Sequence, residues 1–104
     1  MPGFVKMATL EELPPGGAVE VEHDGRIYAL FNVDGVISAI DGICPHQGGP
    51  LGKGTLAGCI VTCPWHGFQF DVKTGQHQPS KSLVHPTFPI KVEQGGVWVD
   101  IGQP

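Results

Sequence analysis

The sequence predicts an all-β fold, and three observations carry that expectation. Apolar residues come in short runs rich in Val, Ile and Phe rather than at helical spacing. Gly (16 residues) and Pro (10) supply a quarter of the 104-residue chain and stand between those runs as punctuation. Asp24-Gly25, Asp34-Gly35 and Gly95-Gly96 are dipeptides that accept positive φ, the signature of tight hairpins.

Taken in order, Phe4–Met7 is the first predicted strand. Thr9-Leu-Glu-Glu12 follows as a capping-box pattern that Pro14-Pro15 cuts off, so one short helical turn is expected there and no long helix elsewhere. Ala18–Glu22, Arg26–Phe31 and Val36–Ile40 are strands joined across Asp24-Gly25 and Asp34-Gly35. Cys59–Thr62 and Gln69–Asp71 come next, followed by the slightly longer turn Lys73-Thr74-Gly75. Phe88–Glu93 and Val97–Ile101 close the chain around Gly95-Gly96. The stretch from about 41 to 70 differs: its alternation is interrupted, it is richer in Gly and Pro, and it holds all three Cys. It is expected to be a small subdomain inserted in a β-sandwich or barrel base, within one domain spanning 1–104.

Composition narrows the functional classes. Net charge is −4, and the six Lys and Arg are scattered singly, so no nucleic-acid footprint exists. The N-terminus has no charged-then-apolar leader, and no stretch reaches the roughly 18 apolar residues of a membrane span. Three cysteines, an odd number, argue against a disulfide framework and suit a reducing, cytoplasmic setting.

Chemistry concentrates in two short strings, Cys44-Pro-His46 and Cys63-Pro-Trp-His66, with sixteen residues between them. Each offers one thiolate and one imidazole, and four such donors in two loops mean a metal site. Two Cys with two His is the ligand set of a Rieske [2Fe–2S] centre, where His₂ replaces Cys₂ on one iron. It is also a zinc-finger set, although zinc fingers usually draw both Cys from one loop and both His from the other. For the iron–sulfur reading, formal charge matters. Two thiolates neutralise the oxidised cluster core, whereas four leave it negative, so imidazole ligation eases the uptake of an electron. Such centres accordingly span roughly −150 to +300 mV, against about −400 mV for plant-type ferredoxins. The second ring nitrogen of each His can couple reduction to proton uptake where it meets water.

The surroundings suit this chemistry. Pro45 and Pro64 fix φ just after each Cys. Gly48, Gly49, Gly52 and Gly67 leave backbone N–H groups able to approach a cluster sulfur. Gly67→Val is therefore expected to lower cluster occupancy. Cys59 is expected to be an inert core thiol rather than a further ligand. Trp65 either covers the cluster or presents its ring to a redox partner. His23, His77 and His85 lack ligand spacing and are expected on the surface, as are Lys53, Lys73 and Lys81.

At Cys44-Pro-His-Gln-Gly-Gly-Pro-Leu51 and Cys63-Pro-Trp-His-Gly-Phe68 the chain resembles Rieske [2Fe–2S] proteins, and over nearly its full length the small ferredoxins of bacterial ring-hydroxylating dioxygenases. The resemblance implies a Rieske fold, a β-sandwich-like base with a cluster-binding subdomain, and one [2Fe–2S] cluster per chain. It implies Cys44 and Cys63 on the inner iron and His46 and His66 on the outer one. It also implies that the chain turns over no substrate. Its partners would be a flavin-dependent reductase and a terminal oxygenase; a small subunit of an enzyme such as nitrite reductase is the alternative, and a zinc-stapled interaction module a third.

Departures from the respiratory branch are informative. Proteins of cytochrome bc complexes carry an additional disulfide-forming Cys in each loop, where this chain has Gly49 and Trp65. Their Ser and Tyr hydroxyls, which hydrogen-bond the cluster, are replaced here by Phe68 and Phe70. Fewer hydrogen bonds to sulfur favour the oxidised form, so the potential is expected toward the low end of the range. Pro79 lies where the family places a proline-bearing loop against the cluster, although Gln76-His-Gln-Pro-Ser80 matches it loosely.

Overall fold

The computed structural model describes residues 3–42, 51–63, 69–76 and 87–101. Among these, ten strands form three antiparallel sheets. The central sheet is ordered β2 (Ala18–His23), β3 (Arg26–Val33), β4 (Val36–Asp41) and β8 (Thr87–Phe88). A second sheet is ordered β1 (Phe4–Thr9), β10 (Gly96–Asp100) and β9 (Ile90–Glu93). The third is a meander of β5 (Thr55–Ala57), β6 (Ile60–Thr62) and β7 (Gln69–Asp71).

The run Tyr28-Ala-Leu-Phe-Asn-Val33 is buried at every position because β3 has a neighbour on both faces. Tyr28 and Leu30 face β1–β10–β9, joining Ala39, Val97, Val99 and Leu13 in one core. Ala29, Phe31 and Val33 face the small meander, joining Ile40, Val61, Cys63, Phe70 and Val72 in the other. The period-two geometry of a strand thus divides one apolar run between two cores.

Asp24-Gly25 and Asp34-Gly35 are hairpin turns as expected, with φ of 53° and 79° in the first and 53° and 92° in the second. The last hairpin differs. Its positive-φ residues are Gln94 (50°) and Gly95 (77°), and Gly96 already pairs with Glu93 at the start of β10. Gly96 is closely packed: a Cβ there would lie 3.0 Å from Lys6 Cε and 3.1 Å from Trp98 Nε1.

Two further expectations are corrected, and two elements are new. The predicted strand Phe88–Glu93 is broken at Pro89, which has no N–H for a ladder, into β8 on the central sheet and β9 on the other. The helical turn at Thr9–Glu12 is a pair of bonded turns without an α-helix. Its capping box is nevertheless made, Thr9 N–H donating to Glu12 Oε1 at 2.9 Å and Glu12 N–H to Thr9 Oγ1 at 3.2 Å. Strand β5 and the 3₁₀ turn Leu51–Lys53 carry no strong sequence signal, and both arise where the inserted segment folds back on β6 and β2.

Candidate metal centre

The second ligand string begins at the end of β6. Thr62 pairs with both Thr55 of β5 and Gln69 of β7, so Cys63 leaves the ladder at the mouth of the β6–β7 hairpin. It is 2% exposed and sits in the same apolar cluster as Phe31, Val61, Phe70 and Val72. Phe70, on the returning strand, is fully buried. Neither Cys63 nor Cys59 is in a disulfide.

Cys59 is half-buried at the turn into β6, and its carbonyl accepts Val72 N–H at 2.8 Å. It packs against the core beside the meander, less completely buried than expected. The β7 exit is closed by its own turn: Asp71 Oδ1 accepts Lys73 N–H at 2.8 Å, and Asp71 N–H donates to the Gln76 carbonyl at 2.9 Å. Gly75, with φ of 79°, supplies the left-handed residue of this turn.

The described residues on either side of the first ligand string, Gly42 and Gly52, are both packed on the central sheet. Gly42 N–H donates to the Ile27 carbonyl at 2.8 Å, and a Cβ on Gly42 would lie 2.6 Å from Ile27 Cγ2. One residue earlier, Asp41 Oδ2 accepts Arg26 Nη2 at 2.9 Å and Nε at 3.3 Å. That guanidinium lies 4.9 Å from the Phe88 ring and 5.7 Å from Tyr28, whose rings meet edge-on at 5.0 Å. At the far end, Gly52 rests on β2, where a Cβ would come within 3.0 Å of Glu20 Cβ. The absence of a side chain at Gly52 thus makes room for the central sheet.

Cys44, His46, Gly48, Gly49, His66, Trp65, Gly67, Phe68 and Pro79 lie outside the described residues, as do His77, His85 and Lys81. His23 is half-buried at the end of β2, and Lys53 and Lys73 are exposed. Among the described residues alone, no group of three or more His, Cys, Asp or Glu that could hold a metal occurs. Sequence reasoning missed Gly42, Gly54, Arg26 and Asp41, which act through contacts that only the assembled sheets reveal.

Cys63 is thus a thiol buried at a strand end, as a metal ligand shielded from water would be. The sequence model of the Rieske [2Fe-2S] domain matches residues 3–89. The chain belongs to that family, and its cofactor is a Rieske-type [2Fe–2S] cluster. It is similar to the biphenyl dioxygenase ferredoxin subunit of Pseudomonas sp. strain KKS102, 36% identical over 96% of this chain and 94% of that one. The fold is similar to the Sphingomonas yanoikuyae B1 ferredoxin, with a TM-score of 0.82, 32% identity, and coverage of 96% and 98%. It is also similar to a chain in the complex of reduced oxygenase and oxidized ferredoxin in carbazole 1,9a-dioxygenase, with a TM-score of 0.89, 26% identity, and coverage of 100% and 98%. The chain is an electron carrier of the ferredoxin kind rather than a catalytic enzyme.

Proposed function

We propose that this chain is a cytoplasmic carrier holding one Rieske cluster, with Cys44 and Cys63 on one iron and His46 and His66 on the other. Bound there, the cluster supplies a one-electron couple. The observation that carries the ligand assignment is Cys63 itself, buried at the head of the hairpin whose sequence continues to His66. Burial among Phe31, Phe70 and Val72 keeps water from the thiolate and prevents it from swinging out of place. In this reading Gly48, Gly49 and Gly67 would offer N–H groups toward sulfur, Phe68, Phe70 and Pro79 would form the apolar surround, and Trp65 would either cover the cluster or present its ring to a redox partner. One domain over 1–104, with a cluster-binding subdomain at about 41–70, accommodates the β5–β6–β7 meander.

The electron would come from a flavin-dependent reductase and go to a terminal oxygenase, the latter being the kind of protein with which a similar ferredoxin is complexed in carbazole 1,9a-dioxygenase. The dioxygenase ferredoxins to which the chain is similar favour that role over a small subunit of a nitrite-reductase type of enzyme. Protein purified without oxygen is expected to be reddish brown and to give an EPR signal once reduced. Ala at Cys44, His46, Cys63 or His66 should remove the signal and the bound iron, whereas Cys59→Ala should keep both. Retention of iron in the Cys63→Ala protein would refute the ligand assignment. For the partners, the reduced protein should be reoxidised by its terminal oxygenase in stopped-flow mixing, and the absence of electron transfer would refute that role.

A further inference from the structure

Strands β5 and β6 pair at Ala57↔Ile60, Leu56↔Val61 and Thr55↔Thr62. One step further along this ladder, Gly54 is the position opposite Cys63. Gly54 has no positive φ, so its backbone conformation is open to any residue. Room is what it lacks. A Cβ at Gly54 would overlap the Thr62 carbonyl oxygen and lie 3.1 Å from both the Thr62 carbonyl carbon and Val61 Cγ2.

That carbonyl carbon is bonded to the Cys63 nitrogen, so displacing it turns the peptide plane from which the thiol side chain projects. Neither side has slack. Cys63 is packed in the core with Val61 and Phe70. Two residues before Gly54, Gly52 already rests on Glu20 of β2, which blocks retreat of the opposing chain.

We propose that Gly54 is a positioning residue for Cys63, setting the Thr62–Cys63 peptide and with it the direction of the thiolate; this rests on reading Cys63 as a cluster ligand. Gly58, in the β5–β6 turn of the same meander, is the natural contrast. Its φ is +61°, and a Cβ there would meet nothing within 4 Å. Alanine at Gly58 strains the backbone without touching the Thr62–Cys63 peptide, whereas alanine at Gly54 does the reverse.

The test compares Gly54→Ala, Gly58→Ala and the native protein, each loaded with its cluster, by EPR, by reduction potential and by the rate of cluster loss under chelator. Gly54→Ala is expected to shift the g values and the potential and to release iron about ten-fold faster or more, in line with the loss of a ligand-orienting contact. Gly58→Ala is expected to lower the melting temperature with native g values and potential. Should Gly54→Ala fail to fold, Gly54→Ala/Val61→Ala, read against Val61→Ala alone, removes the Cγ2 contact and leaves the carbonyl overlap. Folded double variant with shifted g values supports the positioning role. Native g values and potential in either loaded Gly54 variant overturn it, as does an equal shift in Gly58→Ala. A native protein that binds no iron would instead refute the ligand assignment beneath it.

Discussion

Phe70 and Asn32 show how much a single buried position can carry. Phe70 shares its apolar cluster with Cys63, and the resemblance read from the sequence matches it to a Tyr of the respiratory branch. Phe70→Tyr is therefore expected to raise the reduction potential, read by voltammetry on the loaded protein. An unchanged potential would show that the new hydroxyl does not reach the cluster. Asn32 is buried near the end of the most apolar strand, and both ends of its side chain are used. Nδ2 donates to the Leu13 carbonyl at 2.9 Å, and Oδ1 accepts Gly35 N–H at 2.7 Å. Its backbone completes the tie, donating to the Gly17 carbonyl at 3.0 Å and accepting from Gly16 at 2.8 Å. Asn32→Leu strands those partners and is expected to cost about 1–3 kcal/mol in denaturant unfolding. Its bond to Gly35 is local, but nothing in the pattern of β3 marks its ties to Leu13, Gly16 and Gly17, which are distant in the chain.

At the scale of elements, the strands were legible where turn chemistry bracketed them. β2, β3 and β4 follow from Asp24-Gly25 and Asp34-Gly35, since a two-residue turn with both φ positive sets the register of its hairpin. Pro89 was visible too, but its consequence was not: the sequence shows a run from Phe88 to Glu93, and only the sheets show it shared between two layers. The ends of β3, β4 and β8 are joined by a contact of the same non-local kind. Arg26 bonds Asp41 and lies against Phe88, linking the strand that leads to Cys44 with the strand that follows residue 86. Its side chain is 45% exposed, so the contribution is modest. Arg26→Met should lower stability by about 1 kcal/mol, and Arg26→Lys should recover only part, because Lys lacks the planar fork. Equal melting curves for Arg26→Met and the native protein would show the pair to be idle.

Across the whole molecule, the two cores divide the labour. The core around Leu30, Val97 and Val99 joins the central sheet to β1–β10–β9 and, among the described residues, contains no candidate ligand. The other core joins the central sheet to the three-residue strands of the meander and includes Cys63. Short strands bury little surface, so the meander depends most on ligand bonds for its order. Removal of the cluster is thus expected to speed amide exchange in β5, β6 and β7 while β3, β4 and β10 keep their protection. Uniform loss of protection in all three sheets would indicate one cooperative unit instead.

By itself, the sequence determined the all-β class, the hairpins and the four-donor pattern, because turn residues and metal ligands announce themselves through local chemistry. The family likeness follows from the same strings. Tertiary structure alone decided that β3 serves two cores, that Pro89 divides its run between sheets, and that Gly54 faces the Cys63 position. Those features depend on which surfaces meet. A glycine required for room looks the same in a sequence as one required for a turn, until the neighbouring strand fills the space.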